Sequence, residues 1–258
     1  MKALVRAQTH RSHALDALRG LAMIWMTVFH FCFDLNHLGL IQQNFYQDAF
    51  WTWQRSLIVS LFLLCAGMGQ AVALSDGHGW GLFWRRWRWV LLCSLLVSAG
   101  SRWMFPQTWI YFGVLHGMAV MLVVVRLTAR LGWHLWWLGG LAIASKFVAA
   151  YALSIWLEGQ FDATLNAPAW NWIGWITRKP VTEDFVPVFP WLGVMWWGVA
   201  AGQWLLAHRP HWFIVARPQP LVAGLATLGQ WSLSYYMLHQ PVLIGLLTGW
   251  IWLFGPVG

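Results

Sequence analysis

The sequence predicts an all-α fold, a polytopic membrane helix bundle of about seven transmembrane helices. Three observations lead there. Hydrophobic residues make up 59% of the 258 positions and charged residues only 9%, against about 25% charged in an ordinary soluble domain. Mean hydropathy is +0.56. Several apolar runs also approach the ~20 residues that cross a bilayer as a helix. The 24 tryptophans fit the same class, because their amphipathic rings favour the two headgroup regions.

Seven helices are predicted near 14–36, 56–75, 87–105, 108–127, 133–156, 187–207 and 228–253. The first follows the basic stretch "MKALVRAQTHRSH". Arg19 interrupts its apolar run and no small-residue cleavage site follows, so it reads as a retained helix rather than a signal peptide. Only "PQT" separates the third helix from the fourth, a tight hairpin with a proline stop. Pro241 lies inside the last helix and is expected to kink it. The long connection 157–186, with its tryptophans and asparagines, reads as a lid or as an interfacial loop. There is no internal repeat.

Lysine and arginine set the orientation. With the N-terminus in the cytoplasm, the inner ends and loops carry Lys2, Arg6, Arg11, Arg19, Arg85, Arg86, Arg88, Arg126, Arg130, Arg209 and Arg217. Of the acidic residues only Asp16 and Asp76 fall on that side. This is the positive-inside pattern. It accounts for the net charge of +8 without a nucleic-acid partner. Cys32, Cys65 and Cys93 stand singly in apolar runs and have no metal-ligand spacing. No metal site is expected.

The first helix carries ionisable groups where they are costly. Arg19 and His30 are eleven positions apart, three turns plus about 20°, so they share a face about 16 Å apart along the axis. Thr27 and Asp34 lie one turn to either side of His30 on that face. Such a stripe must line the bundle interior or a water-filled cavity. Asp34 is expected to accept a ring N–H of His30, fixing its tautomer and leaving the other nitrogen as a base. In the last helix Ser232, Tyr235, Tyr236 and His239 fall on one face, and Gln240 follows. They read either as a polar seam at the Pro241 kink or as part of a site. His116 sits mid-way through the predicted fourth helix, as an interhelical hydrogen-bonding group or a site member. "WRRWRW", Trp84–Trp89, is a headgroup anchor or a phosphate site, since guanidinium groups bind phosphate bidentately. Gly198 and Gly202 in "GVAAG" suit close helix packing. Lys146 has no pattern around it.

"LDALRGLAMIWMTVFHFCFDLNHLGL", with its Arg-x10-His spacing, resembles the acyltransferase-3 membrane enzymes. More closely it resembles bacterial relatives of the heparan-alpha-glucosaminide N-acetyltransferase catalytic domain family. "YFGVLHGMA", "DFVPVFPWLGVMWWGVAAG" and "LGQWSLSYYMLHQPVL" resemble later segments of that family, in the same order. The resemblance implies transfer of an acyl group, typically acetyl, from cytoplasmic acyl-CoA to a sugar, glycan or lipid-linked acceptor. It implies that the helix-1 histidine, His30, is the essential catalytic residue and that Arg19 lies near the CoA end. Arg85, Arg86 and Arg88 are further candidates for the CoA phosphates, and His116, Ser232, Tyr235, His239 and Gln240 for the acceptor or oxyanion. Expected partners are acyl-CoA, membrane lipid and the acceptor, with a homodimer as a further one. The expected location is a bacterial inner membrane. The rival reading is a proton-coupled transporter with His and Asp groups as its relay.

Overall fold

The computed structural model describes residues 12–155, 162–213 and 219–255. Lys2, Arg6, Arg11 and Arg217, used above for orientation, lie outside the described residues. All regular structure among the described residues is helical: α1 (His13–His37), α2 (Ala49–Ser75), α3 (Trp80–Met104), α4 (Val114–Thr128), α5 (His134–Ile155), the short α6 (Asp162–Asn166), α7 (Val188–His208), α8 (Pro220–Gln230) and α9 (Ser232–Phe254). Among the described residues four segments are long and apolar enough to cross a membrane: His13–His37, Ala49–Ser75, Val114–Leu131 and Ser232–Phe254.

The predicted boundaries shift for physical reasons. α2 and α3 begin earlier than expected, since the residues just ahead of their apolar runs include polar groups such as Gln54, Arg85 and Arg86. A helix ladder does not require apolar side chains, so the helices extend past the apolar runs. α4 begins later, at Val114 behind an N-cap at Gly113. The expected hairpin at "PQT" is instead a longer non-helical stretch from Phe105 to Gly113. Its backbone is paired with residues 182–186: Glu183 N–H donates to Thr108 O, Val186 N–H to Phe112 O, and the Thr182 hydroxyl to Trp109 O. Irregular backbone persists in a membrane protein only where its polar groups are satisfied in this way. The last predicted helix is two, α8 and α9, divided at Trp231. α9 continues through Pro241.

The chain divides into two compact units, and the boundary falls inside α2. One holds residues 12–62 and 211–255: α1, the first half of α2, α8 and α9. Ser12 caps α1, its hydroxyl accepting from Leu15 N–H. α1 ends in a Schellman turn: Gly39 takes φ +76°, and the N–H groups of Gly39 and Leu40 donate back to Asn36 and Leu35. Glycines allow α1 and α8 to touch backbone to backbone: a Cβ on Gly20 would lie 2.0 Å from Leu225 O. Met23, Met26 and Ile58 form the core, with Trp25, Phe29, Phe62, Leu228, Tyr235 and Tyr236 around them. Leu21, Ile24, Val28 and Phe31 are exposed along the opposite, lipid-type face of α1.

The other unit holds residues 63–210. There α7 packs on α2 through Gly67, Gly198 and Gly202; a Cβ on Gly198 would lie 2.4 Å from Leu64 O. The close-packing reading of "GVAAG" is what the structure has. Gly139 and Gly193 bring α5 and α7 together in the same manner.

Candidate functional site

The polar stripe of α1 meets the polar face of α9 inside one unit. The Thr27 hydroxyl donates to Met23 O at 2.8 Å and lies 2.7 Å from the Tyr235 hydroxyl. One turn on, the His30 and His239 rings meet edge to face at a centroid distance of 5.0 Å. Tyr235 stacks nearly parallel to His239 at 6.0 Å, and Phe29 meets His30 at 5.8 Å. A further turn along, Gln240 Nε2 donates to Asp34 Oδ1 at 2.7 Å. Asp34 and His239 are buried, while His30, Tyr235 and Gln240 are partly so.

The expected His30–Asp34 pair is not formed. His30 Nδ1 bonds to the Met26 carbonyl at 2.9 Å, one turn back. Helical side chains lean toward the N-terminus, which carries the His30 ring over Met26. Asp34 leans the same way, but its short stem does not close the remaining turn, and it finds Gln240 on α9 instead. His239 Nδ1 likewise bonds to Tyr236 O at 2.7 Å. Each imidazole therefore donates through Nδ1 to its own helix. Each Nε2 is left with the lone pair of a neutral imidazole. In this arrangement the helix, not Asp34, fixes the tautomer.

Three buried polar atoms of the cluster have no hydrogen-bond partner: Asp34 Oδ2, His239 Nε2 and Gln240 Oε1. All three are acceptors. Gln240 Nε2 is the atom that donates to Asp34, so its Oε1 can only accept. His239 has spent its proton on Tyr236, so its Nε2 can only accept.

The other expected site residues are placed as follows. Arg19 lies two turns before Met26 on α1 and pairs with Asp16 at 3.1 Å. Ser232 opens α9 and makes no side-chain hydrogen bond among the described residues. His116 belongs to the other unit, where both its ring nitrogens are used locally. Nδ1 accepts from Gly113 N–H at 3.2 Å, and Nε2 lies 3.0 Å from the Ser98 hydroxyl, which donates to Ile110 O. That makes His116 a cap for α4. Arg85, Arg86 and Arg88 lie exposed on α3 in the same unit. The connection read as a lid or as an interfacial loop is tied down over its second half. Asp184 caps α4 through Val114 N–H at 2.7 Å, and Asn171 is fully buried with its amide on the Tyr111 hydroxyl at 2.7 Å. Among the described residues no three His, Cys, Asp or Glu side chains gather as metal ligands.

Sequence reasoning missed three polar residues in the second unit: Gln70, His78 and Arg126 line a pocket together with Arg86. Gln70 and His78 carry no pattern in sequence, and Arg126 read only as part of the orientation signal.

A family model described as "Heparan-alpha-glucosaminide N-acetyltransferase, catalytic" matches residues 11–241. No curated protein and no solved structure matches the chain.

Proposed function

Because the chain belongs to the heparan-alpha-glucosaminide N-acetyltransferase catalytic family, and carries four segments able to cross a membrane, we propose that it is an acyl-CoA-dependent membrane acyltransferase. Residues 1–258 act as one catalytic chain with about seven transmembrane helices and a cytoplasmic N-terminus, in a bacterial inner membrane. The donor is acetyl-CoA or another acyl-CoA, and the acceptor is a sugar or a related glycan.

The observation that carries this reading is the acceptor-only character of the α1–α9 cluster. Asp34 Oδ2, His239 Nε2 and Gln240 Oε1 are buried and can only accept. A buried polar atom is stable only with a partner, so a molecule suited to this place brings donors. Hydroxyl and amine groups do so, whereas an ester or a ketone does not. A sugar brings several at once.

His30 is the proposed base. With Nδ1 committed to Met26, Nε2 takes the proton from an acceptor hydroxyl or amine as that group attacks the thioester carbonyl. The C–S bond breaks, and the departing CoA thiolate recovers the proton from the imidazolium. In the covalent variant His30 Nε2 itself attacks and carries the acyl group between the two substrates. Asp34, Gln240, Tyr235 and His239 hold the acceptor. Arg19 serves the CoA end of α1.

The test is release of free CoA by the purified chain from acetyl-CoA and a glucosamine acceptor. His30→Ala is expected to lower turnover by roughly 100-fold to 10,000-fold while the protein still unfolds cooperatively. Wild-type turnover in His30→Ala would exclude the mechanism. Labelled acetyl-CoA without acceptor separates its two forms, since only an acyl-histidine retains label on the chain.

A further inference from the structure

Arg126 is a buried cation that the acyl-transfer reading does not use. It lies in the last turn of α4 and is 7% exposed. One of its guanidinium nitrogens donates to the His78 carbonyl. The guanidinium also lies 5.6 Å from the Trp80 ring centre and 5.7 Å from that of Phe83. The turn after α2 builds this seat. Gly77 takes φ +72°, and the N–H groups of Gly77 and His78 donate back to Leu74 and Ala73. This Schellman turn places the His78 carbonyl against α4. The contacts orient Arg126 without neutralising it. Among the described residues neither Arg126 nor Arg86 has a carboxylate partner. A buried charge is costly unless an opposite charge accompanies it.

Beside Arg126 is a half-open pocket of about 80 Å³. That is several times the roughly 10–15 Å³ that one water needs. Arg86 and Arg126 both line it, with Gln70, His78, Phe83 and Trp87. Two of these residues hold buried polar atoms without a partner, Gln70 Oε1 and His78 Nδ1. Turning the Gln70 amide over presents its NH2 group, and the Nδ1 tautomer of His78 presents an N–H. The lining then offers two guanidinium groups and two further donors, with no negative charge among them.

We infer that this pocket is a phosphate site. Arg86 and Arg126 grip the tetrahedral oxyanion through charge-assisted bonds, and guanidinium forks suit that geometry. Gln70 and His78 complete its hydrogen bonding. Phe83 and Trp87 keep water from one side, which strengthens each charge interaction. The phosphate belongs to one of two sources: the nucleotide end of acyl-CoA, a source that rests on the acyltransferase reading, or the headgroup of an anionic phospholipid, which does not. Of the three α3 arginines in "WRRWRW", only Arg86 lines the pocket.

The test is equilibrium binding without turnover, using the full chain in phosphatidylcholine nanodiscs. CoA and acetyl-pantetheine, which lacks the nucleotide phosphates, are titrated separately. Retained phosphatidylglycerol is read by native mass spectrometry. Arg86→Gln changes an exposed residue, and Gln70→Glu supplies an internal carboxylate to occupy the guanidinium groups; neither empties the core as Arg126→Ala would. If the phosphate is the donor's, both variants weaken CoA roughly tenfold or more and leave acetyl-pantetheine unchanged. If it is a lipid headgroup, both lose phosphatidylglycerol and keep CoA. Wild-type binding of CoA and of phosphatidylglycerol in both folded variants overturns the site, as does equal loss of CoA and acetyl-pantetheine without loss of lipid. A wild-type chain that transfers no acetyl group yet retains phosphatidylglycerol through Arg86 removes the acyltransferase reading and keeps the pocket.

Discussion

Gly229→Ala tests whether backbone packing sets the geometry of the His30 cluster. A Cβ there would lie 1.8 Å from the Asp16 carbonyl oxygen and 2.9 Å from Gly20 N. A carbon–oxygen contact needs about 3.3 Å, so α8 must retreat from α1 by roughly 1.5 Å. The obstacles are backbone atoms and cannot swing aside. A gap of even 0.5–1 Å forfeits about a quarter to a half of each dispersion contact it opens. Overpacking of this kind costs about 1–3 kcal/mol, and the backbone clash puts this site at the upper end. The unfolding temperature should fall by roughly 6–12 °C. α8 joins α9 through Trp231 alone, so the start of α9 moves as well. His239 then leaves its 5.0 Å contact with His30. A misplacement of about 1 Å costs on the order of 100-fold in rate. The assay pairs thermal unfolding in detergent with CoA release. Gly224→Ala is the control, because Gly224 is exposed on the same helix with nothing within 4 Å of its Cβ. It should stabilise by up to about 1 kcal/mol. A Gly229→Ala protein that melts and turns over like wild type would show that the α1–α8 backbone contact does not set the geometry of the cluster.

Two further outcomes follow from individual contacts. Thr27→Val and Tyr235→Phe each remove one hydroxyl of the 2.7 Å pair and should cost about 0.5–1.5 kcal/mol. The double variant should cost less than the two together, read from denaturant or thermal melts as a coupling energy. Asp184→Ala strips the carboxylate from Val114 N–H and should cost about 0.5–2 kcal/mol of stability. Asp184→Asn should recover most of that, and equal melting of all three proteins would show that the cap is not limiting.

The faces were legible in the sequence because helical periodicity is local. Spacing alone put Thr27, His30 and Asp34 on one side of α1 and Tyr235, Tyr236 and His239 on one side of α9. That those two faces meet was not legible, since Asp34 and Gln240 are 206 positions apart. With only local spacing available, the nearest partner for Asp34 was His30, and the structure has Gln240 there. The start of α4 was missed for a related reason. Residues 108–113 are apolar enough to read as helix, but residues 182–186 take up their backbone bonds. His116 has the same history: mid-helix by the sequence count, it lies in the first turn, where its Nδ1 closes the cap. Gln70, His78 and Arg126 come from three different segments and share no spacing at all.

The same hydrogen bonds also weigh against a proton relay as the role of the α1–α9 cluster. A relay needs neighbours that can pass a proton from donor to acceptor along a chain. Here His30 and His239 give their Nδ1 protons to carbonyls of their own helices, which end the chain. Asp34 bonds to an amide, which does not exchange roles as an imidazole does. Among the described residues no hydrogen bond joins either imidazole to Asp34. The cluster instead leaves acceptors on three adjacent groups, held by α1 and α9, with α1 in backbone contact with α8. That arrangement suits a donor-rich substrate held still beside a neutral imidazole, which is what proton abstraction from a hydroxyl or amine requires.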